Sequence, residues 1–158
     1  MADLNELYQQ VIIEHNRSPR NYRVVPNANR RAEGDNPLCG DHIDLFLRMD
    51  GDRIAEIGFQ DLAHRGQGCA ISRASASLMT GAVEGKTAAE AERLADAIHD
   101  MLTGAPGAPD PGRIGKLAAL SGVRQFPSRV KCATLAWHAL RAALRGAAAP
   151  VTTESSAQ

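Results

Sequence analysis

Three cysteines, Cys39, Cys69 and Cys132, are the residues of this 158-residue chain with the widest chemical repertoire. A cysteine here can be a small buried hydrophobe, half of a disulfide, a nucleophile or a metal ligand. Cys39 stands in "NPLCGDHIDLFL", two positions before Asp41, in a Pro/Gly turn that opens an alternating run. In extended backbone residues i and i+2 point the same way, so Cys39 and Asp41 can face one metal. Each cysteine also sits at a boundary between expected elements: before a strand, between sheet and helix, and in the first turn of a last helix. The positions 39, 69 and 132 leave no CxxC pair, so a shared site must be assembled by tertiary folding. Gly40 and Gly68 leave backbone room beside two of the sulfurs.

The partial positive charge of a helix start favours the thiolate form at Cys132 and at Cys69. Thiolates bind Zn²⁺ tetrahedrally, and Asp41 can supply an oxygen as the fourth ligand. A Cys₃Asp set needs cations nearby, and Arg129 and Lys131 are available. His42 adjoins Asp41 but should project to the opposite face. His15, His64, His99 and His138 share no ligand spacing. No P-loop, GxGxxG or Ser/His/Asp order is present. The spacing points to a metal or thiol site and leaves the reaction open.

Composition narrows the setting. Eighteen basic and eighteen acidic residues cancel, and aromatics make up 4%. Neither a global field nor stacking surfaces favour nucleic acid. No apolar run approaches the roughly 20 residues that span a bilayer. "MADLNELYQQ" has neither the basic region nor the apolar core of a signal peptide. The expectation is a cytoplasmic protein with reduced thiols, and the odd cysteine count rules out a full disulfide framework.

The elements that must position these residues follow from periodicity. Leu4, Leu7, Tyr8, Val11 and Ile12 recur at helical spacing, ending near Asn16. The polar segment from Ala28 to Pro37 reads as loop. Ile43, Leu45, Leu47 and Met49 alternate as a strand, Asp50-Gly51 makes a tight turn, and Ala55, Ile57 and Phe59 alternate on the return. A third strand is placed within 61–68. Ile71, Ala74, Leu78 and Ala82 line a helix that Gly85 stops. Thr87 and Glu90 form a capping box before the stripe Ala91, Leu94, Ala95, Ile98, Met101, Leu102. "TGAPGAPDPG" breaks that helix, and a short helix follows around Ile114 to Leu120. The last helix begins near Ser128, with Cys132, Leu135, Ala136, Ala139, Leu140 and Ala143 on its buried face. The class is α+β, a small antiparallel sheet of about three strands against several helices. Residues 1–146 form a single domain, and 147–158 read as a disordered tail.

"LYQQVIIEHNRSPRN", "NPLCGD", "GQGCAIS", "SASLMTGAVEGKTAAEA" and "LAALSGVRQFPSRVKCATLAWHAL" together cover most of residues 7 to 144. With these segments the chain resembles the U-type iron–sulfur cluster assembly proteins, a family that includes IscU and the NifU N-terminal domain, and specifically the SufU branch. The long interval before Cys132, around 103–121, and Lys131 where IscU-like proteins usually carry histidine favour that branch. The resemblance implies an IscU-like α+β fold and a zinc site of Cys39, Asp41, Cys69 and Cys132. It further implies that Cys39 accepts sulfane sulfur from a SufS-type cysteine desulfurase, and that this desulfurase and Suf scaffold proteins are the partners. Arg129 and Lys131 are its implied supporting cations. The alternative it carries is an iron-binding scaffold on which an Fe–S cluster forms. "DLAHRGQGC" is a few residues longer than usual ahead of Cys69.

Overall fold

A computed structural model describes residues 4–36, 41–61, 70–104, 115–146 and 151–152. Helix α1 (Leu4–Arg17) leads through a connector to strands β1 (Arg30–Asn36), β2 (Asp41–Asp50) and β3 (Arg53–Asp61). Helices α2 (Ala70–Val83) and α3 (Ala88–Thr103) follow, then 3-10 turns over Gly115–Gln125 and helix α4 (Pro127–Leu144). A two-residue strand β4 (Val151–Thr152) ends the order. The sheet runs β3-β2-β1-β4, with β1, β2 and β3 antiparallel and β4 parallel to β1. The α+β class read from the sequence is the one observed.

The β2–β3 hairpin closes with Asp50 opposite Arg53, and Gly51 takes a φ of 64° at the turn. A register shift between Arg48 and Met49 pairs Met49 with Ile54. The irregularity turns Ile54 fully inward and leaves Ala55 half-buried, where simple alternation places Ala55 inside. Ile57 and Phe59 are inward as expected, fully buried.

The strand β1 is the main correction to the sequence reading, which made 28–37 a loop. "RRAEGDN" has no large apolar residue, yet Ala32, Gly34 and Asn36 alternate inward against α4. The small side chains are what let the helix come close. A Cβ added to Gly34 would lie 3.0 Å from Leu135 Cδ1. Of the region 61–68, Asp61 ends β3 and the rest lies outside the described residues.

Helices cover the inner face of the sheet, and α4 is their centre. It packs on β1, β2, α2, α3 and the 3-10 turns. Its residues Cys132–Trp137 are all buried, so it lacks the one-sided stripe of a surface helix. Small residues on α2 allow a close crossing, where Ser75 Oγ donates to the Ala133 carbonyl (2.6 Å) and accepts from Trp137 Nε1 (3.1 Å). The Thr87–Glu90 capping box opens α3 in both directions, and Gly104 ends it at φ 72°. Of the short helix expected around Ile114 to Leu120, the described part begins at Gly115; it is 3-10 rather than α and extends to Gln125. Of the region 147–158, Val151 and Thr152 are described, and they pair with Gly34 and Asp35. Both are β-branched, which suits them to the otherwise open edge of β1.

Candidate metal and thiol site

Of the four expected metal ligands, Asp41 and Cys132 are among the described residues, and both are buried, at 4% and 0% exposure. Asp41 begins β2, directly opposite Asn36, the last residue of β1. Asn36 is itself buried, and its Nδ2 donates to Cys132 Sγ at 3.5 Å. One buried amide thus ties the end of the β1–β2 hairpin to helix α4. Residues 37–40, Cys39 among them, lie outside the described residues, as do 62–69 with Cys69. Covalent connectivity makes 37–40 the four-residue link between the paired Asn36 and Asp41. Cys69 immediately precedes Ala70, the first residue of α2.

Cys132 is the sixth residue of α4, whose first is Pro127. It therefore sits in the second turn, not the first, and the field of the helix terminus reaches it weakly. The Asn36 amide is its nearer polar influence. Sequence reasoning passed over Asn36, although it opens the "NPLCGD" motif, because asparagine before proline reads first as a turn residue.

Arg129 and Lys131 are exposed on the same helix. Arg129 precedes Cys132 by three residues and shares its side of α4, whereas Lys131 is adjacent in sequence and turned away. Helical spacing thus puts Arg129, and not Lys131, on the Cys132 side of α4.

Two ends of the chain near Cys69 are joined by an ion pair. Asp61, the last residue of β3, accepts two 3.0 Å hydrogen bonds from Arg73 of α2, through Nε and an Nη. Tyr22 Oη donates to the same carboxylate at 2.9 Å, and the guanidinium lies 4.8 Å from the Tyr22 ring centroid. The bidentate bond to Asp61, against the opposing effect of burial, raises the Arg73 pKa.

His42 lies on the outer face of the sheet, as expected, opposite the buried Asp41. Its Nδ1 is 2.6 Å from Asp35 Oδ1 and its Nε2 is 3.2 Å from Asp44 Oδ1. Burial opposes its charge, but these two carboxylates outweigh it and the imidazole pKa is raised. Glu33, His42 and Asp44 hold potential ligand atoms within 4.8 Å of one another. Both nitrogens of His42 already face carboxylates, so its ring is engaged by Asp35 and Asp44.

The residues fit a bound metal on chemical grounds. A carboxylate in an apolar interior is costly unless a cation or donors compensate it. Here a buried carboxylate and a buried thiol converge at one end of the sheet, a mixed hard and soft donor set that zinc accepts.

Comparison with known proteins assigns the lineage. The NifU-like N-terminal domain family matches residues 7–133. The chain belongs to that family. It is 42% identical over 139 residues to the zinc-dependent sulfurtransferase SufU of Bacillus subtilis (strain 168), spanning 88% of this chain and 90% of the relative. It is 39% identical over 148 residues to the iron–sulfur cluster assembly scaffold protein IscU of Streptococcus pyogenes serotype M1, spanning 94% and 89%. Among solved structures, the putative iron–sulfur cluster assembly scaffold protein for the SUF system of Fervidobacterium islandicum AW-1 superposes with a TM-score of 0.78 at 32% identity, covering 87% of this chain and 96% of that one. No described helix is long and apolar enough to cross a membrane.

Proposed function

We propose that this protein is a zinc-dependent sulfur acceptor of iron–sulfur cluster assembly, with Cys39, Asp41, Cys69 and Cys132 as the metal ligands and Cys39 as the acceptor. The observation that carries the reading is the pairing of Asn36 with Asp41, with the Asn36 amide on Cys132 Sγ. It ties both ends of the four-residue link bearing Cys39 to a buried carboxylate and a buried thiol. The likeness to the SufU of B. subtilis over most of both chains supports it.

Bound by these residues, zinc would keep thiolates deprotonated and shielded from oxidation. The chain's own part is to present one thiolate that can leave the set. Cys39 suits this role because its sequence neighbours in the four-residue link between β1 and β2 include a proline and a glycine, whereas Cys132 is fixed inside α4. The Cys39 thiolate attacks the outer sulfur of a cysteine persulfide on a SufS-type desulfurase. The sulfur–sulfur bond breaks, the desulfurase cysteine leaves as a thiolate, and Cys39 carries the persulfide. No external oxidant or reductant enters. Asp41 would offer the metal a hard oxygen among soft sulfurs, a donor set that would hold zinc less firmly than four thiolates. Arg129 offsets its negative charge. The setting is the cytosol, and the partners are the SufS-type desulfurase and Suf cluster-assembly scaffold proteins.

A scaffold that builds a cluster on the same ligands is the second reading, favoured by the likeness to the IscU of S. pyogenes. Metal analysis with desulfurase turnover separates the two. Sulfur acceptance requires colourless protein with one zinc, and desulfurase stimulation that Cys39→Ala abolishes. Brown protein with iron and labile sulfide, and no stimulation, establishes the scaffold. Full stimulation by Cys39→Ala refutes the acceptor assignment.

A further inference from the structure

Ser75 is fully buried on α2, between Ala74 and Ala76. The close crossing with α4 asks for a small side chain there, and alanine would supply one. Serine adds a hydroxyl, and α4 takes up both its proton and its oxygen. The Ala133 carbonyl accepts from it at 2.6 Å, and Trp137 Nε1 donates to it at 3.1 Å. Ala133 and Trp137 are a helical turn apart, so one face of α4 grips a single atom of α2.

Cys132 precedes Ala133 and projects about 100° away from it around the helix. There the Asn36 amide, at the end of β1, reaches Sγ at 3.5 Å. α4 is therefore held by directional bonds on two faces, one toward α2 and one toward the sheet. Such a pair opposes rotation of the helix about its own axis. Apolar contacts with small residues are non-directional and resist that rotation less. At the ~5 Å radius of a helix's side-chain shell, a turn of about 10° moves an atom by roughly 1 Å. A shift of that size takes Sγ out of reach of the Asn36 amide.

We propose that Ser75 is a positioning residue, which fixes the rotation of α4 through its Ala133–Trp137 face and so aims the Cys132 thiol at Asn36. Its consequence for metal rests on the proposed ligand set, while the rotational lock does not. The lock draws on residues of α2, α4 and β1 that are all buried, so water cannot readily take the place of any member.

The test compares Ser75→Ala, Trp137→Phe and the double variant with the parent, each as the full chain. In zinc-free protein, NMR follows hydrogen exchange of the Asn36 side-chain amide, which reports its contact with Cys132. Ser75→Ala should speed that exchange about tenfold, the scale of one lost hydrogen bond. Trp137→Phe keeps the bond from Ser75 to Ala133 and should stay close to the parent. The double variant separates aim from stability. It leaves no buried indole N–H without a partner, so its melting temperature should recover toward that of Trp137→Phe. Its Asn36 amide should nonetheless exchange as fast as in Ser75→Ala. Exchange at the parent rate in both Ser75 variants overturns the proposal. So does exchange in the double variant that returns with the melting temperature to the Trp137→Phe value, which makes Ser75 a packing residue only. In zinc-loaded protein, Ser75→Ala should release metal to a chelator about tenfold faster, the scale for groups that orient ligands. Faster Asn36 exchange with unchanged metal release leaves the lock standing and removes Cys132 from the proposed ligand set.

Discussion

Asn36→Ala is the perturbation that bears most directly on how the hairpin and α4 are joined. The Asn36 amide is 1% exposed, and its Nδ2 stands 3.5 Å from Cys132 Sγ. Alanine removes the donor without adding bulk, and the site is too enclosed for solvent to take the amide's place freely. A hydrogen bond to a charged acceptor contributes about 1.5–3 kcal/mol. At ~1.4 kcal/mol per decade that corresponds to roughly 10–100-fold in affinity, the range seen for residues that orient metal ligands. Zinc affinity measured by competition with a chromophoric chelator should fall by that factor. Asn29→Ala is the control. Asn29 also bridges backbone, donating to the Met49 carbonyl at 2.9 Å and accepting from the Met49 amide at 2.7 Å. It should cost stability and leave zinc affinity alone. Zinc affinity within twofold of the parent for a folded Asn36→Ala would refute the claim that this amide organises the site.

Other outcomes follow from the same structure. Burial, then the neighbouring His99, holds the His138 imidazole below its ordinary pKa of 6.5. The unfolded chain therefore takes up a proton first on acidification. Stability should be level above pH 6.5, fall as pH drops through 6.5, and level again below the folded pKa; His138→Gln should flatten that part of a urea-denaturation series. Thr87→Ala removes the hydroxyl that accepts from the Glu90 amide, leaves the backbone half of the capping box in place, and should cost about 1 kcal/mol in chemical denaturation without altering zinc binding. Gly34→Val pushes side-chain atoms against Leu135 and should destabilise by about 1–3 kcal/mol, where Gly34→Ala should be milder because Leu135 can shift.

Much of the helical framework was legible because its signals are local. The stripe over 91–102 and the Thr87–Glu90 box define α3 without help from the rest of the chain. Alternation over 43–49 with Asp50-Gly51 similarly defines a hairpin. β1 was not legible. Its inward residues are Ala32, Gly34 and Asn36, chosen for the close approach of α4 rather than for hydrophobicity, so no apolar alternation marks them. The bulge that turns Ile54 inward was hidden for a related reason: strand register is a property of a pair, not of one segment.

The cysteines and Asp41 stood out in the sequence because few residue types do thiol or metal chemistry, and because Gly and Pro mark turns. What sequence spacing could not supply was proximity across 96 residues, from Asn36 to Cys132. Nor could it pick out Tyr22, Asp61 and Arg73, three ordinary residues until folding places them on one carboxylate. By itself the sequence determined the secondary elements with local periodicity, the chemical types at the site and the family resemblance. Tertiary structure alone decided which polar residues became buried partners of those types. The reason is physical: propensity and capping act within a few residues, whereas a buried amide or ion pair forms only where packing excludes water.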